Sequence, residues 1–252
     1  MIRVVVIGAG NVAIHLSRAL VGSDGIRLVQ VYSRSEPKED LFPASVPRTG
    51  DLGGLEEADI YVIAVRDDAI MGLGEKLAHL SGLVVHTSGT VSVDALKGVS
   101  RRGVFYPVQT FTKERELNWK EIPLVLETAE PSDMALLNSL ASALSETVFQ
   151  LDSVGRKKLH LAAVFANNFS NHMFRLSKEI CQESELPFDL LRPLILETAG
   201  KAMSMEPERA QTGPARRRDK RVISSQEDQL DTEKKEIYSL LSRSISKRYE
   251  GA

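Results

Sequence analysis

Short runs of Val, Ile and Leu recur in the first part of the chain, at residues 3–7, 28–32, 60–65, 83–86 and 104–108, with helical patterns between them. These runs lack the polar alternation of a half-solvated sheet, so they predict parallel strands buried on both faces and covered by helices. Two further runs, 123–126 and 147–151, bracket an apolar-periodic stretch at 132–144 that reads as a helix. After Asp152 the strand pattern stops. Helical periodicity takes over across about 154–183, 188–205 and 229–249, with Pro187, Pro207 and Gly213-Pro214 at the breaks. The expected fold class is therefore α/β: a doubly wound, mainly parallel sheet over residues 1–152, followed by an all-helical domain over 153–252. Residues 36–54, rich in Pro, Gly and charge, form the least regular part of the first domain.

Composition narrows the partners. The 252 residues are 42% hydrophobic and 26% charged, which is ordinary for a globular protein with a sizeable core. A formal net charge of -2 provides no basic field for nucleic acid or an anionic membrane surface. The apolar start is too short for a secretory core and runs into Gly8 and Gly10, and no apolar stretch is long enough to span a bilayer. The chain has 1 cysteine, Cys181, so it can form neither an intrachain disulfide nor a cysteine-based zinc site. No metal site is expected, and the cytoplasm is the expected compartment.

The first strand leads directly into Gly8-Ala9-Gly10-Asn11-Val12-Ala13 and then into an amphipathic helix carrying Leu16, Ala19 and Leu20. Strand, glycine turn and helix in this order make the dinucleotide-binding fingerprint of a Rossmann-type domain. The first glycine allows the turn, the second lets backbone approach a pyrophosphate, and a small third residue lets helix pack on strand. Gly8, Gly10, Asn11, Val12 and Ala13 are thus the expected pyrophosphate cradle, with the helix N-terminus supplying amides.

The second strand ends in Ser33-Arg34-Ser35, with no carboxylate at its tip to grip a ribose 2′-hydroxyl. Hydroxyls and a guanidinium suit a 2′-phosphate, so NADP is favoured over NAD. The competing reading makes Arg34 a surface arginine and gives the ribose to Glu36. Other polar groups follow strand ends, the edge where open parallel sheets bind ligands. Val65 and Thr87 are expected at the cofactor, Ser88 at the reacting groups and Gln109 at the substrate, although the turn around residues 86–89 also reads as simple capping. Asp67, after Val65 and Arg66, reads equally well as a helix N-cap.

In the helical half, residues 160–172 are apolar around most of a helix, which predicts burial. His160, Asn167 and Asn171 would lie within roughly 40° of one another at 3.6 residues per turn. The stripe fits a substrate site, with His160 donating a proton and Asn167 and Asn171 orienting the substrate. A hydrogen-bonded network inside a bundle or subunit interface is the bland alternative. Residues 216–221 carry a basic run that reads as solvated surface, yet an arginine there, Arg217, could hold a substrate carboxylate.

GAGNVA, HTSGT, YPVQTF, HLAAVFANNFSNH and QTGPARRRD, in this order, resemble a group of two-domain bacterial proteins in which a Rossmann-like domain precedes a helical domain of unknown function, known as candidate NADP oxidoreductases. More distantly the layout is similar to pyrroline-5-carboxylate reductase, deazaflavin-dependent NADP reductases and the 6-phosphogluconate and 3-hydroxyisobutyrate dehydrogenases. In the hydroxyacid dehydrogenases a catalytic lysine precedes an asparagine by one helical turn. Here Lys157 and Lys158 lie too far before Asn167, and His160 takes the asparagine face. The resemblance supports Arg217 and Asp219, which fit the TGPxxRxD pattern, but gives no substrate; the expected activity is hydride transfer between a nicotinamide and a small carbonyl or imine substrate held between the domains. The alternative is a dinucleotide-binding sensor or structural protein without catalysis. Helices this apolar need more cover than one small domain offers, so a homodimer through the helical half is expected.

Overall fold

The computed structural model describes residues 1–34 and 41–250. The chain forms two compact units, Met1–Asn168 and Phe169–Ala252. In chain order the first unit contains β1 (Ile2–Ile7), α1 (Asn11–Val21), β2 (Ile26–Tyr32), β3 (Arg48–Thr49), β4 (Ile60–Ile63), α2 (Asp67–Lys76), β5 (Leu83–His86) and β6 (Arg102–Pro107). β7 (Leu124–Thr128), α3 (Met134–Leu144), β8 (Val148–Gln150) and α4 (Ser153–Ala163) follow. The strands form one 8-stranded sheet in the order β3-β2-β1-β4-β5-β6-β7-β8, parallel throughout except for the antiparallel β6 and β7.

Alternation explains the unbroken apolar runs. Val4 and Val6 point into a core shared with Ala13, Ile14, Leu16 and Leu20 of α1, whereas Val5 and Ile7 point into the opposite core with Tyr61, Ile63, Ile70 and Leu77. Both faces are covered, so no position in β1 beyond Arg3 is left polar. Every predicted strand is present within a few residues. The two-residue β3, in the irregular segment, had no apolar run to announce it. It pairs Arg48 with Val31 and Thr49 with Tyr32 at the sheet edge.

The second unit holds α5 (Ser170–Glu183), α6 (Arg192–Ser204), α7 (Pro207–Ala210), α8 (Pro214–Arg217), α9 (Lys220–Glu227) and α10 (Thr232–Arg248). No strand occurs among its described residues. Instead of one continuous helix over 154–183, α4 passes through a π-helical segment, Val164–Phe169, into α5. The expected burial of residues 160–172 does not hold. Leu161, Phe165 and Phe169 are 59%, 64% and 47% exposed. Among the described residues of the second unit only Cys181, Ala215 and Ser242 are buried. No helix among the described residues is long and apolar enough to cross a membrane.

Candidate functional site

The chain runs outward from β1 to β2 and β3, then returns to place β4 on the other side of β1. A crevice forms at such a reversal, beyond the carboxyl ends of the strands. Here it is a cavity of about 1090 Å³, walled by the turns that follow β1, β2, β4, β5 and β6. Gly8, Ala9, Gly10, Asn11 and Val12 form one wall. Ser33 and Arg34 stand at one end, and Val65, Thr87, Gln109, Thr110 and Phe111 also line it.

Each small residue of the fingerprint has its own geometry. Gly8 has φ +140, and a Cβ there would sit 2.1 Å from the Ala64 carbonyl oxygen, so only glycine lets β1 turn so close to β4. A Cβ on Gly10 would meet nothing within 4 Å, so this backbone is open for a ligand to approach. Ala13 lies outside the cavity lining and is fully buried between α1 and the sheet. Gly10 is the N-cap of α1 and no side chain caps that helix, which leaves its first amides available to an anion. Asn11 lines the cavity, and its side chain is also engaged within the protein. Its Nδ2 donates to the Phe111 carbonyl at 2.7 Å, while His15 Nε2 lies 2.9 Å from the Thr112 carbonyl. Together they hold the segment after β6 against α1.

Arg34, Arg66 and Lys76 outnumber the single acidic lining residue, Asp68, and Arg66 pairs with that carboxylate at 2.6 Å. This surplus of positive charge suits phosphates. Ser33 donates its backbone amide to Thr49, and Arg34 is exposed. Ser35 and Glu36 lie outside the described residues. Among the described residues no group of His, Cys, Asp and Glu is arranged to hold a metal ion.

The turn after β5 is built around Ser88. Its amide donates to His86 Nδ1 at 3.2 Å, its hydroxyl accepts from the amides of Thr90 and Val91, each at 3.1 Å, and its carbonyl accepts from Arg156 Nη1 at 2.9 Å. Asp67 accepts from the Thr90 hydroxyl rather than capping α2, whose N-cap is Arg66. Thr87 faces the cavity, while Ser88 is buried behind it. Burial, reinforced by the Arg156 charge, lowers the His86 pKa to about 4. That agrees with a neutral ring accepting at Nδ1 and donating from Nε2 to the Ser92 carbonyl.

Arg156, on α4, is fully buried and pairs with Glu127 of β7 at 2.8 Å, but its Nε has no partner among the described residues. One turn further on, His160 Nδ1 lies 3.0 Å from the hydroxyl of Tyr106, which burial pushes up in pKa. Both rings rest on the turn. A Cβ on Gly89 would come within 2.5 Å of His160 Nδ1 and 2.8 Å of Tyr106 Cζ. His160 therefore packs directly against Gly89, next to the cavity-lining Thr87, and is not itself among the lining residues.

Asn167 is exposed in the π segment, and Asn171 and Arg217 are exposed on the second unit. The π segment undoes the expected polar stripe, since one inserted residue sets later side chains back by about 100° relative to an unbroken α-helix. Tyr106, Arg156 and Glu127 were missed by sequence reasoning. Tyr106 lies in the YPVQTF stretch, but no local signal pairs residues 54 positions apart.

Residues 122–245 match the family described as Domain of unknown function (DUF2520). Over its whole length the chain is similar to the "putative NADP oxidoreductase" BF3122 from Bacteroides fragilis, with 43% identity, 98% coverage of each chain and a TM-score of 0.89. Protein TM1727 from Thermotoga maritima shares 22% identity at a TM-score of 0.74, also over 98% of each chain. A pyrroline-5-carboxylate reductase from Coxiella burnetii shares the fold at 18% identity and a TM-score of 0.59, over 99% of this chain and 97% of that one. A search of curated proteins found no match.

Proposed function

The chain belongs to the same family as the Bacteroides fragilis protein, and from that premise we propose that it is an NADP-dependent oxidoreductase acting on a small carbonyl or imine substrate. The observation that carries this reading is the cavity at the sheet reversal, where Gly8 packs on the β4 backbone, Gly10 stays open and the N-terminus of α1 is uncapped. These features fit a pyrophosphate. Gly10, Asn11 and Val12 would hold it through backbone, and Ser33 and Arg34 would take the adenosine end, with Arg34 reading a 2′-phosphate. Val65 and Thr87 would wall the nicotinamide end.

Bound there, the cofactor supplies or accepts the hydride. The chain's own contribution is orientation and hydrogen bonding. His160 is the proposed donor to the oxygen or nitrogen that gains a proton, and Ser88 acts through the turn it builds. Gln109 lines the cavity and is proposed to meet the substrate. Asn167, Asn171 and Arg217 keep the substrate-orienting and substrate-binding roles that their residue types suggest.

A homodimer formed through the helical unit completes the proposal. Phe169, Leu190, Leu194, Leu196 and Met203 expose apolar surface on the helical unit. A second copy is the occupant that every molecule in solution can supply. Sedimentation should give about twice 27.8 kDa, and a monomer at micromolar concentration would refute it. The single free thiol, Cys181, is buried and suits the cytoplasm as the proposed compartment.

The decisive test is calorimetric titration with NADPH and NADH, followed by a screen of carbonyl and imine compounds with the preferred cofactor. NADPH should bind at least about tenfold more tightly, a difference of about 1.4 kcal/mol, and Arg34→Ala should erase most of it. His160→Gln should keep NADPH affinity and lose turnover. Equal affinity for both cofactors would overturn the NADP reading. Tight binding with no turnover on any compound would favour the non-catalytic sensor.

A further inference from the structure

The pairing of Tyr106 with His160 assigns a chemical state to the histidine. Tyr106 is buried, and its hydroxyl has no hydrogen-bond partner among the described residues other than His160 Nδ1, 3.0 Å away. Two arrangements satisfy that distance. In one, Nδ1–H donates to the phenol oxygen, which leaves the O–H of this buried residue with no acceptor among the described residues. In the other, the phenol donates to an unprotonated Nδ1 and every buried group is paired. An unsatisfied buried donor is costly, so the second arrangement prevails. Gly89 makes the contact possible, since any side chain there would collide with both rings. His160 is half-buried, and its Nε2 has no partner among the described residues.

We propose that Tyr106 is a positioning residue that holds His160 as the neutral Nε2–H tautomer, so that the ring offers a hydrogen-bond donor and not a base. The inference rests on the reading of His160 as the donor in the reaction and adds a substrate requirement. The reacting atom must carry a free lone pair, as a carbonyl oxygen or a neutral imine nitrogen does. A protonated iminium would meet Nε2–H donor to donor. During reduction of a carbonyl, hydride adds to carbon, the fixed donor would steady the negative charge gathering on oxygen without reorganising, and solvent water would supply the proton that completes the alcohol. Burial raises the Tyr106 pKa, which keeps the phenol protonated and able to donate.

The test is nitrogen-15 NMR of the full chain labelled at histidine, recorded at about pH 8, where an ordinary imidazole is neutral. The chain has 5 histidines, and the His160 signals are those missing from the His160→Gln spectrum. In the wild type, His160 should show a protonated Nε2 and an unprotonated Nδ1. Tyr106→Phe should draw the two resonances together as both tautomers become populated, and Gly89→Ala, which displaces the rings, should do the same. A protonated Nδ1 in the wild type overturns the proposal, as does a tautomer unchanged by Tyr106→Phe in a folded protein. If Tyr106→Phe does not fold, the wild-type spectrum and Gly89→Ala still decide. No substrate enters this measurement, so failure to find turnover and failure of the tautomer assignment are separate results.

Discussion

Glu127→Ala should be among the most destabilising single changes in the first unit. The Glu127 carboxylate accepts from Arg156 Nη2 at 2.8 Å, from the Ser153 amide at 2.9 Å and from the Ser153 hydroxyl at 2.8 and 2.9 Å. Its side chain is 12% exposed and that of Arg156 is 0% exposed, so water cannot replace what is lost. Arg156 would keep its bonds to the Ser88 carbonyl and the Ser153 hydroxyl, but its charge would be buried without a counter-ion. Breaking a buried pair from one side costs about 3–5 kcal/mol. At about 2–4 °C per kcal/mol for a unit of this size, the melting midpoint should fall by roughly 6–20 °C.

Thermal melts followed by circular dichroism measure this directly. The double variant Glu127→Leu/Arg156→Met removes both charges together and should recover most of the loss, since apolar replacement of a whole buried pair is often neutral. A loss below about 1 kcal/mol for Glu127→Ala, the range of exposed pairs, would refute the reasoning. So would a double variant no more stable than the single one. The same clamp reaches the proposed nicotinamide end through the Ser88 carbonyl, so Arg156→Met should also weaken turnover while Gly10 and α1 stay in place.

Other expectations follow from single geometries. His86 has a folded pKa lowered to about 4, so between an unfolded value of about 6.5 and that point the unfolded chain binds the extra proton. Stability should therefore be full above about pH 6.5 and fall by roughly 3 kcal/mol towards pH 4; His86→Gln should flatten that part of the melting profile, and identical profiles would contradict the assignment. Gly8→Ala meets backbone at 2.1 Å and 2.8 Å at φ +140, and should cost about 1–3 kcal/mol of stability together with NADPH binding. Gly10→Ala meets nothing within 4 Å, so it should melt like the wild type yet lose NADPH affinity by at least about tenfold. A Gly10→Ala protein with full affinity would remove the pyrophosphate from this turn.

What the sequence shows plainly is what depends on neighbours along the chain. The buried strands announce themselves because Val4 through Ile7 must be apolar on both faces, and the glycine turn because its steric demands fall on consecutive positions. The candidate site was legible to the same extent. Gly8, Gly10, Val65, Thr87 and Gln109 reach one cavity because each follows a parallel strand ending at the same sheet edge. Contacts between distant residues left no such trace. Asn11 holds a carbonyl 100 positions away and Arg156 a carboxylate 29 positions away, and neither residue type implies its partner. The polar stripe through His160 was drawn on a helix of constant pitch, which the π segment Val164–Phe169 breaks.

The apolar circumference around Leu161 and Phe165 marks a different limit. Hydropathy states that a side chain gains by leaving water, at about 25 cal/mol per Å², but it does not state which molecule takes the water's place. A pattern that reads as burial within a domain is the same pattern that reads as burial against a second copy. The two are told apart only by whether the chain has enough atoms to cover itself. Among the described residues of the second unit only Cys181, Ala215 and Ser242 are buried, and the proposed homodimer would cover apolar side chains that stay exposed. The stability of its helices should therefore depend on protein concentration, and a melting midpoint for this unit that stays constant over a hundredfold dilution would count against the dimer and in favour of a self-sufficient monomer.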